Sequence, residues 1–171
     1  ARLAQQGHEV YMVGTNPATL EKLEREGIDI TWQGVRSRVP VHARLAGEME
    51  GPVELAMLFT KTTASRAALE ACGAYVGPET WMLSLQNGLG NLELLSAYVP
   101  RQRLLLGVTG FGSDLEVPGR IVSAGAGYVK LMAVEPEGQA MAERVNAALN
   151  GAGLTSQLTG DVMTAIWEKV A

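Results

Sequence analysis

Short apolar runs recur along this chain, each followed by a polar or glycine-bearing turn and then by a helical stripe, at a spacing of about 25 residues or less. The clearest is Leu55-Ala56-Met57-Leu58-Phe59. A run with no polar alternation marks a strand buried on both faces, and parallel sheets covered on both sides are where such strands occur. Further strands are expected at Glu9 to Gly14, Ile28 to Trp32, Thr80 to Leu85, Leu104 to Thr109 and residues 155–158. Between them, Asn16-Pro17 starts a helix that Gly27 ends, with Leu20 and Leu23 on one face. Ala64, Ala67, Ala68, Ala71, Cys72 and Tyr75 share a second helical stripe. A short helix is expected around residues 90–98, and Met141, Val145, Ala148, Leu149 and Ala152 line another that Gly153 ends. Gly119-Arg120 to Lys130 reads as a hairpin turned at Gly125-Ala126-Gly127, while residues 33–51 offer only Val39, Val41 and Leu45 as strand hints. Alternation of this kind calls for a doubly wound α/β sheet.

Composition agrees. Of 171 residues, 47% are hydrophobic and 19% charged, which excludes a disordered chain. The formal net charge is −4, against a nucleic-acid binder that works by neutralising phosphates. No run of 18 apolar residues offers a transmembrane helix, so neither nucleic acid nor membrane is an expected partner. The single Cys72 excludes an internal disulfide and suits a reducing, cytoplasmic compartment. Both ends read as cut. Ala1 to Gly7 resembles the last turns of a helix, and Trp167 to Ala171 stops inside a helical pattern, so an internal piece of a longer polypeptide is expected.

In an open α/β sheet, ligands sit beyond the carboxyl ends of the strands. Five such positions carry candidate chemistry. Thr15-Asn16 has neither the acid nor the Arg that would read an adenosine ribose; the pair could donate to a 2′-phosphate, or Asn16 could serve equally well as a helix cap alone. Lys61 follows the most apolar strand, as a ligand contact or as a solvated strand end. Asn87, in Gln86-Asn87-Gly88-Leu89-Gly90-Asn91, offers a donor and an acceptor, or simply supplies a tight turn with Gly88. Gly107 to Ser113 could border a cofactor or form a plain loop. Lys169 lies at the edge of an apolar helical arc with Val162, Met163, Ile166, Trp167 and Val170, as an acid–base group or a snorkelling flank. His8, His42 and Cys72 have no metal-ligand spacing.

Taken in order, these pieces resemble the 2-dehydropantoate 2-reductase (ketopantoate reductase) family. The matching stretches are Leu3 to Val10, Thr60-Lys61-Thr62, Leu85 to Asn91, Leu106 to Thr109, Pro118 to Val122, Gly125 to Gly127 and Trp167-Glu168-Lys169. The resemblance implies a Rossmann-type NADP-binding domain over residues 1–158, lacking the family's first strand and Gly-rich loop. It implies that residues 159–171 begin a truncated C-terminal helical substrate domain, with room for a homodimer through that domain. It implies NADPH-dependent reduction of 2-dehydropantoate to (R)-pantoate in pantothenate biosynthesis, with a small 2-oxoacid as substrate. By the same resemblance Lys61, Asn87 and Ser113 contact the cofactor, Asn87 and Lys169 contact the substrate, and Lys169 is the catalytic proton donor. Thr15 stands where many members carry Arg, so a narrower preference for NADPH over NADH is expected. Residues 1–171 alone are expected to be inactive. Two other readings remain: a related 2-oxoacid, imine or hydroxyacid dehydrogenase of the same architecture, and a non-catalytic nucleotide-sensing module, which would have no use for an acid at Lys169.

Overall fold

The computed structural model describes residues 1–73, 75–86, 90–162 and 164–165. The chain opens with α1 (Arg2–Gln5), β1 (Tyr11–Gly14) and α2 (Pro17–Glu26). Three strands follow: β2 (Ile28–Trp32), β3 (Val35–Val39) and β4 (His42–Leu45). Then come β5 (Leu55–Leu58), α3 (Ser65–Ala71), β6 (Trp81–Ser84), α4 (Asn91–Ser96) and β7 (Leu104–Thr109). The chain continues through β8 (Asp114–Val117), β9 (Arg120–Ser123), β10 (Val129–Ala133), α5 (Gln139–Gly151) and β11 (Ser156–Leu158).

Among the described residues the strands form three sheets. The largest has the order β11-β10-β7-β6-β5. Its strands β5, β6 and β7 are parallel, and β10 runs antiparallel to β7. Alternation along β7 explains why this sheet needs two covers. Leu104, Leu106 and Val108 face a cluster with Leu69 of α3, Leu95 of α4, Val162 and Ala165. Leu105 faces the opposite cluster with Met141, Val145 and Leu149 of α5. Burying a Leu contributes roughly 1.5–3 kcal/mol, so these two clusters dominate the stability of the sheet. The segment beginning at Val162 is capped by Asp161, whose Oδ1 accepts the Thr164 N–H at 3.0 Å.

Local signals behave as their chemistry requires. Asn16 Oδ1 accepts the Thr19 N–H at 3.0 Å, Pro17 sits in the first turn of α2, and Gly27 ends it at φ +73. The His8 N–H reaches the Leu3 carbonyl at 3.2 Å and the Gly7 N–H reaches that of Ala4 at 3.1 Å, closing α1.

Non-local features depart from expectation. The hairpin expected over 119–130 is absent: β9 pairs in parallel with β2, whereas β10 joins β7 in another sheet. Gly125 to Gly127 therefore carries the chain between sheets. The hairpin in this region is β8–β9, turned at Pro118-Gly119 with Gly119 at φ +87, the residue pair a type II turn favours. Residues 33–51 hold β3, which pairs antiparallel with β2, and β4. β4 pairs in parallel with β1, in a two-stranded sheet separate from the sheet of β5 to β7. Of the stripe expected along α3, Cys72 and Tyr75 are buried and Ala68 packs against the core, but Ala64, Ala67 and Ala71 are exposed, and Ser65 and Leu69 complete the inward face. Leu69 offers more apolar surface than Ala, and Ser65 has a polar partner inside.

Candidate functional site at the carboxyl edge of the parallel strands

Because β5, β6 and β7 run in one direction, the turns after them emerge at one edge of the sheet. Lys61 is exposed in the turn after β5, and its ammonium has no ion-pair partner among the described residues. Ser113 is exposed in the loop after β7, directly before β8. Asn87 and Lys169 lie outside the described residues.

A buried polar network underlies the first two turns. Gln86 is 7% exposed, and its side-chain amide donates to the Thr60 carbonyl and, at 2.7 Å, to Ser65 Oγ. Its Oε1 accepts from Ser84 Oγ at 3.1 Å, and Ser65 Oγ in turn donates to the Lys61 carbonyl at 3.4 Å. Every polar atom of this side chain is engaged, which offsets the cost of burying an amide. Sequence alone points to the neighbouring Asn87 rather than to Gln86. The position of Gln86 directly after the strand Thr80 to Leu85 was the available signal.

The loop after β7 is held from below. The Gly110 N–H donates to the Tyr128 carbonyl at 2.8 Å, and Ser123 Oγ donates to the Gly112 carbonyl at 2.6 Å. Glycine is required where the two chain segments touch. A Cβ on Gly127, at φ +155, would lie 2.7 Å from Phe111 Cα. The Phe111 ring lies 5.8 Å from the Trp32 ring, and the Arg2 guanidinium sits 5.2 Å from the Trp32 ring centre. The loop is thus packed on one side, while Gly112 and Ser113 remain open on the other. An exposed ammonium and open backbone at the mouth of parallel strands suit a phosphate-bearing dinucleotide.

Thr15 is exposed at the end of β1, and the Asn16 carbonyl oxygen is committed to capping α2. Beside this turn, α2 and β4 enclose a cleft of about 490 Å³ lined by Pro17, Leu20, Glu24 and Arg44 among others, with no residue from β5, β6 or β7. Glu24 accepts the Ala43 N–H at 2.6 Å and pairs with Arg44 at 2.7 Å, and these contacts hold its carboxyl below the usual carboxylate range. Cys72 bonds the Tyr75 hydroxyl at 2.7 Å, and burial pushes its thiol up, away from nucleophilic use. Among the described residues no cluster of His, Cys, Asp and Glu could hold a metal ion, and no helix is long and apolar enough to cross a membrane.

The sequence profile of the family described as ketopantoate reductase PanE/ApbA matches residues 1–136. A 2-dehydropantoate 2-reductase of Streptococcus pyogenes is 27% identical over 168 residues, covering 98% of this chain and 54% of that protein. The chain spans about half the length of the curated relatives it matches. Among solved structures, a putative 2-dehydropantoate 2-reductase of Enterococcus faecalis superposes with a TM-score of 0.90 at 29% identity, covering 98% of this chain and 55% of that one. A ternary structure of D-mandelate dehydrogenase with NADH and anilino(oxo)acetate gives 0.92 at 25% identity, covering 98% and 54%.

Proposed function

The chain belongs to the ketopantoate reductase family, and from that premise we propose that the full-length protein reduces 2-dehydropantoate to (R)-pantoate with NADPH, a cytoplasmic step of pantothenate biosynthesis. Residues 1–158 form the cofactor-binding unit, and residues 159–171 begin a helical substrate domain. The observation that carries the proposal is the common carboxyl edge of β5, β6 and β7, where the Lys61 turn and the Ser113 loop both emerge.

A bound reduced nicotinamide supplies the hydride. Residues of this chain would do part of the remaining work. Lys61 and the backbone at Ser113 hold the cofactor, and Asn87 contacts both cofactor and substrate. Lys169 would hold the proton for the carbonyl oxygen, the atom on which negative charge develops as C2 is reduced. An ammonium there both stabilises that charge and supplies the proton, leaving a neutral hydroxyl. Support for Lys169 is the Trp167-Glu168-Lys169 match. Replacing it removes a positioned acid, so Lys169→Ala should lower kcat by about 10²–10⁴-fold. Cofactor affinity, read separately by fluorescence titration, should change little. A kcat within threefold of the unsubstituted protein would remove Lys169 from the mechanism.

One observation favours a second reading. The superposition on D-mandelate dehydrogenase with NADH and anilino(oxo)acetate fits an enzyme for other 2-oxoacids, including aryl ones, that uses NADH. Initial rates of the full-length protein with 2-dehydropantoate and phenylglyoxylate, each with NADPH and NADH, separate the two. The proposal expects the highest kcat/KM with 2-dehydropantoate and NADPH, and Thr15→Arg should widen the preference for NADPH. Dinucleotide binding without turnover of any 2-oxoacid would instead indicate a sensing module.

A further inference from the structure

The last backbone register pair between β5 and β6 is Leu58 with Ser84. Two residues further along each strand stand Thr60 and Gln86, beyond the end of the ladder. There the Gln86 side chain takes over the pairing that the backbone has dropped. Its Nε2 donates to the Thr60 carbonyl, and its Oε1 is held by Ser84 Oγ at 3.1 Å on its own strand. The second proton of Nε2 goes to Ser65 Oγ at 2.7 Å, at the start of α3. Ser65 Oγ then donates to the Lys61 carbonyl at 3.4 Å, so the turn that carries Lys61 is held from both sides. Ser65, Ser84 and Gln86 are all buried, and solvent does not compete for these bonds.

Thr60 directly precedes Lys61 and Gln86 directly precedes Asn87 in the chain. A single side chain therefore fixes the spacing between the carboxyl ends of β5 and β6. An apolar residue would fill the same space without the cost of burying an amide, and it would leave the two strand ends uncoupled. We infer that Gln86 is a positioning residue that ties the Lys61 turn to the carboxyl end of β6, the strand end that Asn87 follows in sequence, so that Lys61 keeps its place relative to that strand end. This rests on the proposed function, in which those two residues meet cofactor and substrate.

The test uses the full-length protein and two substitutions, Gln86→Leu and Ser65→Ala. The first removes all three side-chain bonds at similar volume, and the second removes one anchor. The readouts are the dissociation constant for NADPH by fluorescence titration without substrate, the KM and kcat with 2-dehydropantoate, and amide hydrogen exchange over residues 59–65. Misplacement of binding groups by a fraction of an ångström should raise the NADPH dissociation constant and KM about tenfold in Gln86→Leu. Most of the loss in kcat/KM should then lie in KM, with faster exchange at 59–65. Ser65→Ala should move the same constants in the same direction by a smaller factor. Constants within twofold of the parent in folded Gln86→Leu would overturn the inference. If Gln86→Leu does not fold, Ser65→Ala decides: raised constants support the coupling and unchanged ones overturn it. An unsubstituted protein that neither binds a dinucleotide nor reduces a 2-oxoacid would defeat the functional reading itself, and with it this inference. A protein that does both, with constants unchanged on substitution, would defeat the inference alone.

Discussion

Asp29 shows how one residue can stabilise an edge of the fold far from the candidate site. It projects from β2 between Arg36 at 2.8 Å and Arg38 at 2.9 Å on the antiparallel neighbour β3. The hydrogen bonds from these guanidinium groups, that of Arg38 first, hold its carboxyl far below the usual carboxylate range. The folded-state value lies below the unfolded one near 3.9. The stabilisation is therefore full above about pH 5 and is lost progressively as pH falls through and below the unfolded value. Asp29→Asn should thus lower the Tm at pH 7, and the gap to the parent should narrow steadily below about pH 4. Melting curves from pH 7 to pH 2.5 check this, and a gap independent of pH would contradict the assignment.

At the scale of elements, β4 is an edge strand of the two-stranded sheet, and its exposed amides are taken by carboxylates. The His42 N–H points to β1, bonding the Val10 carbonyl at 3.4 Å. The Ala43 N–H instead donates to Glu24 at 2.6 Å and the Leu45 N–H to Glu48 at 3.1 Å. Unpaired edge amides invite association with other strands, and these two contacts block that. Glu24→Ala should lower the Tm by a few degrees, on the order of one lost charge-assisted hydrogen bond. Glu21→Ala, on the same helix, should have less effect, and equal effects in thermal melts would refute the capping role. Elements of this kind differ in how legible they were. The ends of α2 were readable because Asn16, Pro17 and Gly27 act on their own neighbours, and β7 was readable because Leu104-Leu105-Leu106-Gly107-Val108 is a short apolar run rich in strand formers. Sheet membership was not. Whether β9 pairs with β10 or with β2 depends on partners about 90 residues away, and nothing local at Gly125-Ala126-Gly127 encodes that. On α3 the inward Ala68, Cys72 and Tyr75 were legible, but the inward Ser65 was not, since its partner Gln86 lies 21 residues on.

For the whole molecule, the arrangement that matters is a parallel core with a cover on each face. The cluster under α3 and α4 and the cluster under α5 both draw on β5 to β7, so these strands are held rigidly and their carboxyl ends form one fixed edge. The position of Lys61 and Ser113 at strand ends was legible from the apolar runs that precede them. The polar network that joins the turns was not, because hydrogen bonds across 21 and 26 residues leave no periodic trace. A second concave surface, the cleft between α2 and β4, shares no residue with that edge and offers the alternative place for a ligand. Amide hydrogen exchange of the full-length protein with and without saturating NADPH distinguishes the two surfaces most directly. Exchange should slow in residues 58–65, 84–91 and 109–113, with α5 and the β8–β9 hairpin unchanged. Protection confined to α2 and β4, or none at the three strand ends, would contradict it.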